Sequence, residues 1–262
     1  MIRACIFDLG GTIVDKYSLS PFLSLREAFK LNNLSVHQNL IYNDMGIEKK
    51  HHIQKILSDK HVSHNFFHNE GRFHNLDDID NIFNDFNDIQ LCRSNVIDII
   101  PETKDTLSYL KDNNILIGVN TGFNKKNTES IIDVLSKEGI HIDEYVSSTC
   151  LDKPGRPYPY MIQHLMDKFK IKNPKNVMKI DDTNIGIKEG NNANCVSVGV
   201  GRWSTYMKVR DKYEEDSLTQ DEIEKRVLKS KITLKLSNPD HIIDTLEEIP
   251  EMINKTSNVI YL

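Results

Sequence analysis

Acidic and hydroxyl residues stand where short apolar runs end, and their types suit chemistry on phosphorus. Asp8 closes the run Ala4-Cys5-Ile6-Phe7 and is followed at once by Gly10-Gly11-Thr12. Thr121-Gly122 ends a second run, Asp181-Asp182 ends a third, and Arg156 lies in the connection between them. A carboxylate attacking phosphorus is repelled by the substrate's own charge until cations neutralise it. Arg156 supplies one positive charge. Asp8 and Asp182, with no cysteine or histidine cluster beside them, suit a hard, oxygen-ligated cation such as Mg2+. Backbone N–H groups at Gly11 and Gly122, with the hydroxyls of Thr12 and Thr121, are donors for phosphoryl oxygens. Taken singly, each feature has a plainer role: an Asp capping a turn, an Arg facing solvent, an acidic pair capping the next helix.

Such a constellation needs strands that deliver their ends to one edge. The run at 4–7 is apolar throughout, as in a strand buried on both faces of a parallel sheet. Further strands are predicted over 115–119, 145–148, 177–180 and 195–200, with helices between them over 101–111, 127–138, 158–169 and 185–193. This alternation implies βαβ units and a Rossmann-like parallel α/β sheet, with ligands at the carboxyl edge. Residues 16–94 break the alternation. Helical spacing is read over 20–30, 36–43, 49–59 and 76–91, with 61–74 as a polar loop, and no convincing strand intervenes. The organisation expected is a core of 1–15 and 95–262 carrying an inserted all-helical cap over 16–94. The C-terminal stretch reads as a helix over 218–228, an edge strand over 230–236 and a last helix over 239–252.

The chain has 262 residues, 39% hydrophobic and 27% charged, with 33 Lys and Arg against 38 Asp and Glu. That composition fits a globular protein with a sizeable core, and the net charge of -5 argues against bulk nucleic-acid binding. Three of the cysteines Cys5, Cys92, Cys150 and Cys195 lie in or beside apolar runs, predicting buried, reduced thiols and no zinc or disulfide framework. No apolar run approaches the ~20 residues of a membrane span, and no signal-like segment precedes the first strand. The expected compartment is the cytoplasm and the expected partner a small molecule.

The motifs FDLGGT, NTG, KPGRPYPYM and KIDDTNIGIKEG together resemble the haloacid dehalogenase superfamily over nearly the whole core. Within it the chain looks most like the phosphonatase family, whose members hydrolyse phosphonoacetaldehyde. That resemblance implies Asp8 as nucleophile and Mg2+ held by Asp8, the Gly10 carbonyl and Asp182. It also implies that the segment MGIEKKHH places Met45 at the substrate, Lys49 as a Schiff-base lysine and His52 as its proton-transfer partner. The apolar faces of 22–29 and 76–91 permit a homodimer through the cap. Read from helix position alone, Lys49 is one lysine among many on a solvated face, and Lys50 is expected to be so.

Departures from the family pattern keep other readings open. Glycine at position 10 leaves no second acid to protonate an oxygen leaving group, which speaks against a phosphatase of a small phosphorylated metabolite. The acidic motif of the family reads GDTxxD, whereas here Asp181 replaces its glycine and Gly186 its last acid, leaving Asp181 as a candidate for the metal's outer shell. Phe123 stands in place of a tyrosine, and Ser18 in place of a cysteine. With Gly10 and Gly186, Phe123 motivates a third reading, a non-catalytic phosphate-binding homologue.

Overall fold

A computed structural model describes residues 1–258. Six parallel strands form one sheet in the order β3-β2-β1-β4-β5-β6: β1 (Ala4–Phe7), β2 (Leu116–Thr121), β3 (Glu144–Ser147), β4 (Val177–Asp181), β5 (Val196–Val200) and β6 (His241–Ile243). Because every pairing is parallel, β1, β2 and β4 all end on the same edge. Asp8, Thr121 and Asp181-Asp182 are brought together there by topology. Ile6 lies opposite Gly118 on one side and Lys179 on the other. Residues 4–7 are all buried, as the uninterrupted apolar run requires.

Helices cover both faces of the sheet. Cys5 and Phe7 pack with residues of α6 (Thr103–Asp112) and α7 (Lys125–Lys137), whereas Ala4 and Ile6 pack with α8 (Tyr160–Lys168). The helix α9 (Asn184–Asn192) follows β4 directly. Between β1 and β2 the chain inserts five helices: α1 (Leu19–Leu31), α2 (Gln38–Asn43), α3 (Lys49–Leu57), α4 (Lys60–Glu70) and α5 (Leu76–Ser94). Asp15, Tyr17 and Ser18, at the passage from β1 into α1, have φ of 55°, 63° and 52°. Side chains with a Cβ seldom occupy this left-handed region, and its use here sets a fixed, sharp exit from the core.

Several sequence expectations are corrected. The stretch read as a loop over 61–74 holds all but the first residue of α4. Asp59 accepts from the N–H groups of His61 and Val62, Val62 and Phe66 are buried one turn apart, and Gly71 at φ 69° ends the helix. The edge strand is 241–243, not 230–236. Residues 230–235 continue α11 (Gln220–Lys235), which follows the short α10 (Lys212–Ser217) and opens on a Thr219/Glu222 capping box. Ser230 and Leu234, four residues apart, face the interior as a helix demands. The last helix, α12 (Ile249–Asn258), consequently starts ten residues later than read. The first cap helix begins one residue earlier, at Leu19. Only Cys5 and Cys195 are buried, whereas Cys92 and Cys150 are exposed. No described helix is long and apolar enough to cross a membrane.

Candidate active site

The carboxylates of Asp8, Asp181 and Asp182 offer oxygens that all lie within 4.8 Å of one another. All three residues are buried, Asp181 and Asp182 completely. Neither acid of the pair caps α9: Thr183 does so, its hydroxyl accepting from the Gly186 N–H. Asp182 Oδ2 accepts from the Thr205 N–H at 2.9 Å, and Thr12 Oγ1 donates to Oδ1 at 3.5 Å. Asp181 Oδ1 accepts from the Thr183 N–H and hydroxyl at 2.9 and 2.7 Å.

Arg156 is 6% exposed and enters this cluster from the loop before α8. Its Nη2 lies 2.8 Å from Asp8 Oδ1 and 2.6 Å from the Asn120 carbonyl, while Nε donates to Glu189 Oε2 at 2.8 Å. The solvent-facing alternative is thereby excluded. Sequence reasoning missed the supports around it. Glu189 on α9 accepts both Arg156 Nε and the Asn120 amide. Lys179, fully buried at the centre of β4, donates to Asn120 Oδ1 at 2.7 Å and lies 2.9 Å from Asp181 Oδ2. A lysine inside the apolar strand Val-Met-Lys-Ile was the available signal, since a charge buried on both faces of a sheet must be paired.

These groups shift one another's ionisation. Burial raises the Asp8 carboxyl, against the pull of Arg156. Burial raises Asp182 well above the ordinary range, and the charges of Asp181 and Asp8 add to it. Burial also acts on Asp181, but Lys179 and Arg156 outweigh it and hold that carboxyl low. The cluster contains four buried carboxylates, Asp8, Asp181, Asp182 and Glu189, against three buried cations, Lys179, Arg156 and, from the helical insert, Lys49. Negative charge is left over, and Asp8 Oδ1 and Asp181 Oδ2 accept no well-aligned hydrogen bond. An all-oxygen donor set with surplus negative charge fits a divalent hard cation.

Two turns press the helical insert onto this edge. Gly46, at φ 95°, has no room for a side chain: an added Cβ would lie 2.8 Å from Thr183 Oγ1. Gly122 meets the same turn from the core, where a Cβ would lie 3.1 Å from the Ile47 carbonyl oxygen. Met45, Gly46 and Lys49 therefore share one cavity of about 30 Å³ with Asp8, Gly10, Thr121, Gly122, Phe123 and Arg156. Glu48 caps α3, accepting from the Lys50 and His51 N–H groups, so Lys49 is the first residue of that helix. Lys49 is 5% exposed. Burial lowers its ammonium to about 8, opposed by Asp8 and reinforced by Arg156, and the positive end of α3 acts in the same direction. Lys50, by contrast, is exposed and pairs with Asp80 on α5.

The structure places the remaining candidates unequally. Thr12 and Thr121 are buried at the strand ends. His52, one turn beyond Lys49, is fully buried, and neither ring nitrogen makes a well-aligned hydrogen bond. Burial pushes its imidazolium down to about 3, with Lys49 adding to that, against the backbone of Leu40 and Ile41. At position 10 an added Cβ would sit 3.2 Å from Ser18 Oγ, so the space a second acid would need is already narrowed by the chain entering α1.

A family model of haloacid dehalogenase-like hydrolases matches residues 2–194. A phosphonoacetaldehyde hydrolase of Latilactobacillus sakei is 32% identical over 261 residues, covering 97% of this chain and 96% of the relative. One of Lactiplantibacillus plantarum is 28% identical over 258 residues, with 97% and 96% covered. The crystal structure of a phosphonoacetaldehyde hydrolase-like protein from Oleispira antarctica superposes with a TM-score of 0.90 at 26% identity, covering 97% of this chain and 93% of that one. With its parallel core, inserted helices and loaded strand ends, the chain belongs to the haloacid dehalogenase-like hydrolases and resembles the phosphonoacetaldehyde hydrolases among them.

Proposed function

We propose that the protein hydrolyses the carbon–phosphorus bond of phosphonoacetaldehyde, giving acetaldehyde and phosphate. The observation that carries this reading is Lys49, a buried lysine with a lowered pKa in the same small cavity as Asp8 and Arg156. The near relatives bearing that activity support it over most of the chain.

Direct attack on a phosphonate would expel a carbanion, a very poor leaving group. The neutral Lys49 amine instead adds to the aldehyde and, with one proton taken up from solvent, loses water, leaving a protonated imine. Asp8 then attacks phosphorus; the electrons of the broken bond move into the imine, which becomes an enamine on Lys49. Because the leaving atom is carbon and its electrons are taken up by the imine, Gly10 needs no acidic side chain. The enamine takes a proton at carbon, and water releases acetaldehyde and free Lys49. A second water cleaves the aspartyl-phosphate on Asp8 to give phosphate. His52, held neutral, is assigned the proton transfers at the Lys49 nitrogen.

Arg156, Thr121, Thr12 and the Gly122 N–H hold the phosphoryl oxygens, with Met45 lining the aldehyde side; the Gly11 N–H, expected from the sequence to join them, donates instead to the Val14 and Asp15 carbonyls. Asp8, the Gly10 carbonyl and Asp182 would hold Mg2+. When bound, the cation neutralises phosphoryl charge that Asp8 must approach. Residues 16–94 act as the cap, closing Lys49 over the core of 1–15 and 95–262.

Borohydride with phosphonoacetaldehyde tests this directly. It should inactivate the protein and leave a two-carbon adduct on Lys49, and Lys49→Arg should lose both turnover and trapping. Efficient carbon–phosphorus cleavage by that variant, or trapping at Lys50 alone, would refute the assignment. Faster turnover of p-nitrophenyl phosphate than of phosphonoacetaldehyde would make the protein a phosphatase instead. Ligand binding without turnover of either compound would make it a non-catalytic homologue.

A further inference from the structure

The helical insert grips the core at a further place, beside the turns that close the cavity. Tyr42, near the end of α2, is 3% exposed and stacks on Phe22 of α1, with ring centroids 4.5 Å apart and planes within 11° of parallel. Its hydroxyl donates to the Val209 carbonyl at 3.0 Å. Val209 is fully buried and belongs to the segment 203–209, between β5 and α10. Among the described residues, no other hydrogen bond joins the stretch 38–57 to the core. Burial pushes the Tyr42 phenol up to about 12, with Glu214 adding to that, so it stays a donor.

Each partner of this bond leads to a reacting group. On the insert, the Tyr42 carbonyl accepts from the Met45 N–H at 3.4 Å, which closes the turn leading through Gly46 to Lys49. On the core, the same short segment holds the strand end. The Thr205 N–H donates to Asp182 Oδ2 at 2.9 Å, and the Ser204 hydroxyl to the Asp182 carbonyl at 2.7 Å. The Trp203 carbonyl accepts from the Tyr17 N–H at 2.7 Å, where the chain leaves the core for α1. The bond at Val209 therefore ties the Lys49 turn to the segment that fixes the sheet edge. Apolar packing is non-directional and lets helices slide by fractions of an ångström. Sliding here would strip a buried carbonyl of its donor, which is costly.

We propose that Tyr42 is a positioning residue, whose hydroxyl sets the register of Lys49 over Asp8. This rests on the reading that Lys49 and Asp8 act on one substrate. Register matters most for the step that uses both bodies, since a misplacement of about 1 Å can cost on the order of 100-fold. Addition of the lysine to an aldehyde uses only one body.

Tyr42→Phe tests this, because it keeps the ring on Phe22 and removes only the donor. Tyr109→Phe serves as the control: that hydroxyl donates to Asn254 Oδ1 at 2.9 Å, between α6 and α12, so a bond of the same kind is lost away from the site. In Tyr42→Phe, kcat for carbon–phosphorus cleavage should fall tenfold or more. Borohydride trapping of acetaldehyde on Lys49 should stay within threefold of the parent. Amide hydrogen exchange without ligand should quicken at least tenfold over 44–53 and stay unchanged in α5. Tyr109→Phe should leave all three at parent values.

Parent-like cleavage in Tyr42→Phe overturns the proposal, as does unchanged exchange over 44–53. An equal fall in trapping and cleavage overturns it too, because the bond would then merely steady the insert as a whole. A parent that leaves phosphonoacetaldehyde intact would overturn the proposed reaction, and the exchange contrast alone then decides whether Tyr42 holds the turn.

Discussion

Arg156 Nη2 sits 2.8 Å from Asp8 Oδ1, both side chains all but sealed from solvent. The guanidinium does three things at once: it faces the nucleophile, grips Glu189 through Nε and caps the carbonyl of Asn120. A lysine keeps the charge but has neither the planar fork nor the reach to serve three acceptors. Arg156→Lys should lower kcat/KM for phosphonoacetaldehyde by about 100-fold or more, a loss of ~3 kcal/mol in transition-state stabilisation. Parent kinetics in a folded variant would remove Arg156 from the site.

Lys49 sets the pH dependence of the proposed reaction. The free amine attacks the aldehyde, and a pKa lowered to about 8 leaves about a quarter of it neutral at pH 7.5, against ~0.1% for an ordinary lysine. Because it is the deprotonated form that reacts, the rate of borohydride trapping should rise with pH and level off above about 8. A profile still climbing steeply above pH 10 would mean that the reacting lysine is an ordinary solvated one.

Asp182 is the metal-ligand candidate held most firmly, by Thr205 and Thr12. Asp182→Ala should raise the Mg2+ concentration needed for half-maximal activity by at least tenfold and depress turnover at any accessible concentration. An unchanged Mg2+ titration curve would contradict its assignment.

Asp15, at the passage into α1, is buried, and its carboxyl is raised to about 7 by burial, against the Ser20 N–H that it accepts. A carboxyl whose pKa is higher folded than unfolded keeps its proton longer in the native state. Stability from this group is therefore present below about pH 4 and is lost as pH rises towards 7. Asp15→Asn, which is never charged, should remove that slope. Its thermal midpoint relative to the parent should improve between pH 5 and 8, by ~1–2 kcal/mol in stability. A constant difference across that range would place the sensitivity elsewhere.

Lys179 is the buried charge most dependent on its partners, Asp181 and Asn120. Lys179→Met leaves Asp181 facing Arg156 alone, and in the metal-free protein it should cost ~3 kcal/mol or more of unfolding free energy. Denaturant unfolding measures this, and a loss below ~1 kcal/mol would show that the pair is dispensable.

What the sequence disclosed follows from the kind of signal each residue carries. Asp8, Thr121 and Asp182 were legible because parallel strands end on one edge, so a strand's last residue announces its place. Arg156 and Lys49 were legible only through their motifs, since nothing in a loop arginine or a lysine pair tells which will be buried. Asn120, Lys179 and Glu189 went unread because their partners lie 33 to 69 positions away in the chain, a separation no periodicity spans. The errors at 61–74 and 230–236 have different causes. In the first, polar composition hid the cap at Asp59 that starts a helix through a few local hydrogen bonds. In the second, a helix read from 218 was ended too early, because its β-branched Ile232 and Thr233 suit a strand although the helix runs on to Lys235.

Lys49 is carried by the helical insert, whereas Asp8 belongs to the sheet edge, and the chamber between them is about 30 Å³. In the proposed reaction the substrate becomes bonded first to one body and then to the other. After the carbon–phosphorus bond breaks, its two fragments are tethered to different parts of the protein: the carbon half to the lid, the phosphorus half to the base. Any outward swing of the lid would then draw the fragments apart, so that reversal of the cleavage is prevented by distance, before either fragment has been set free by water.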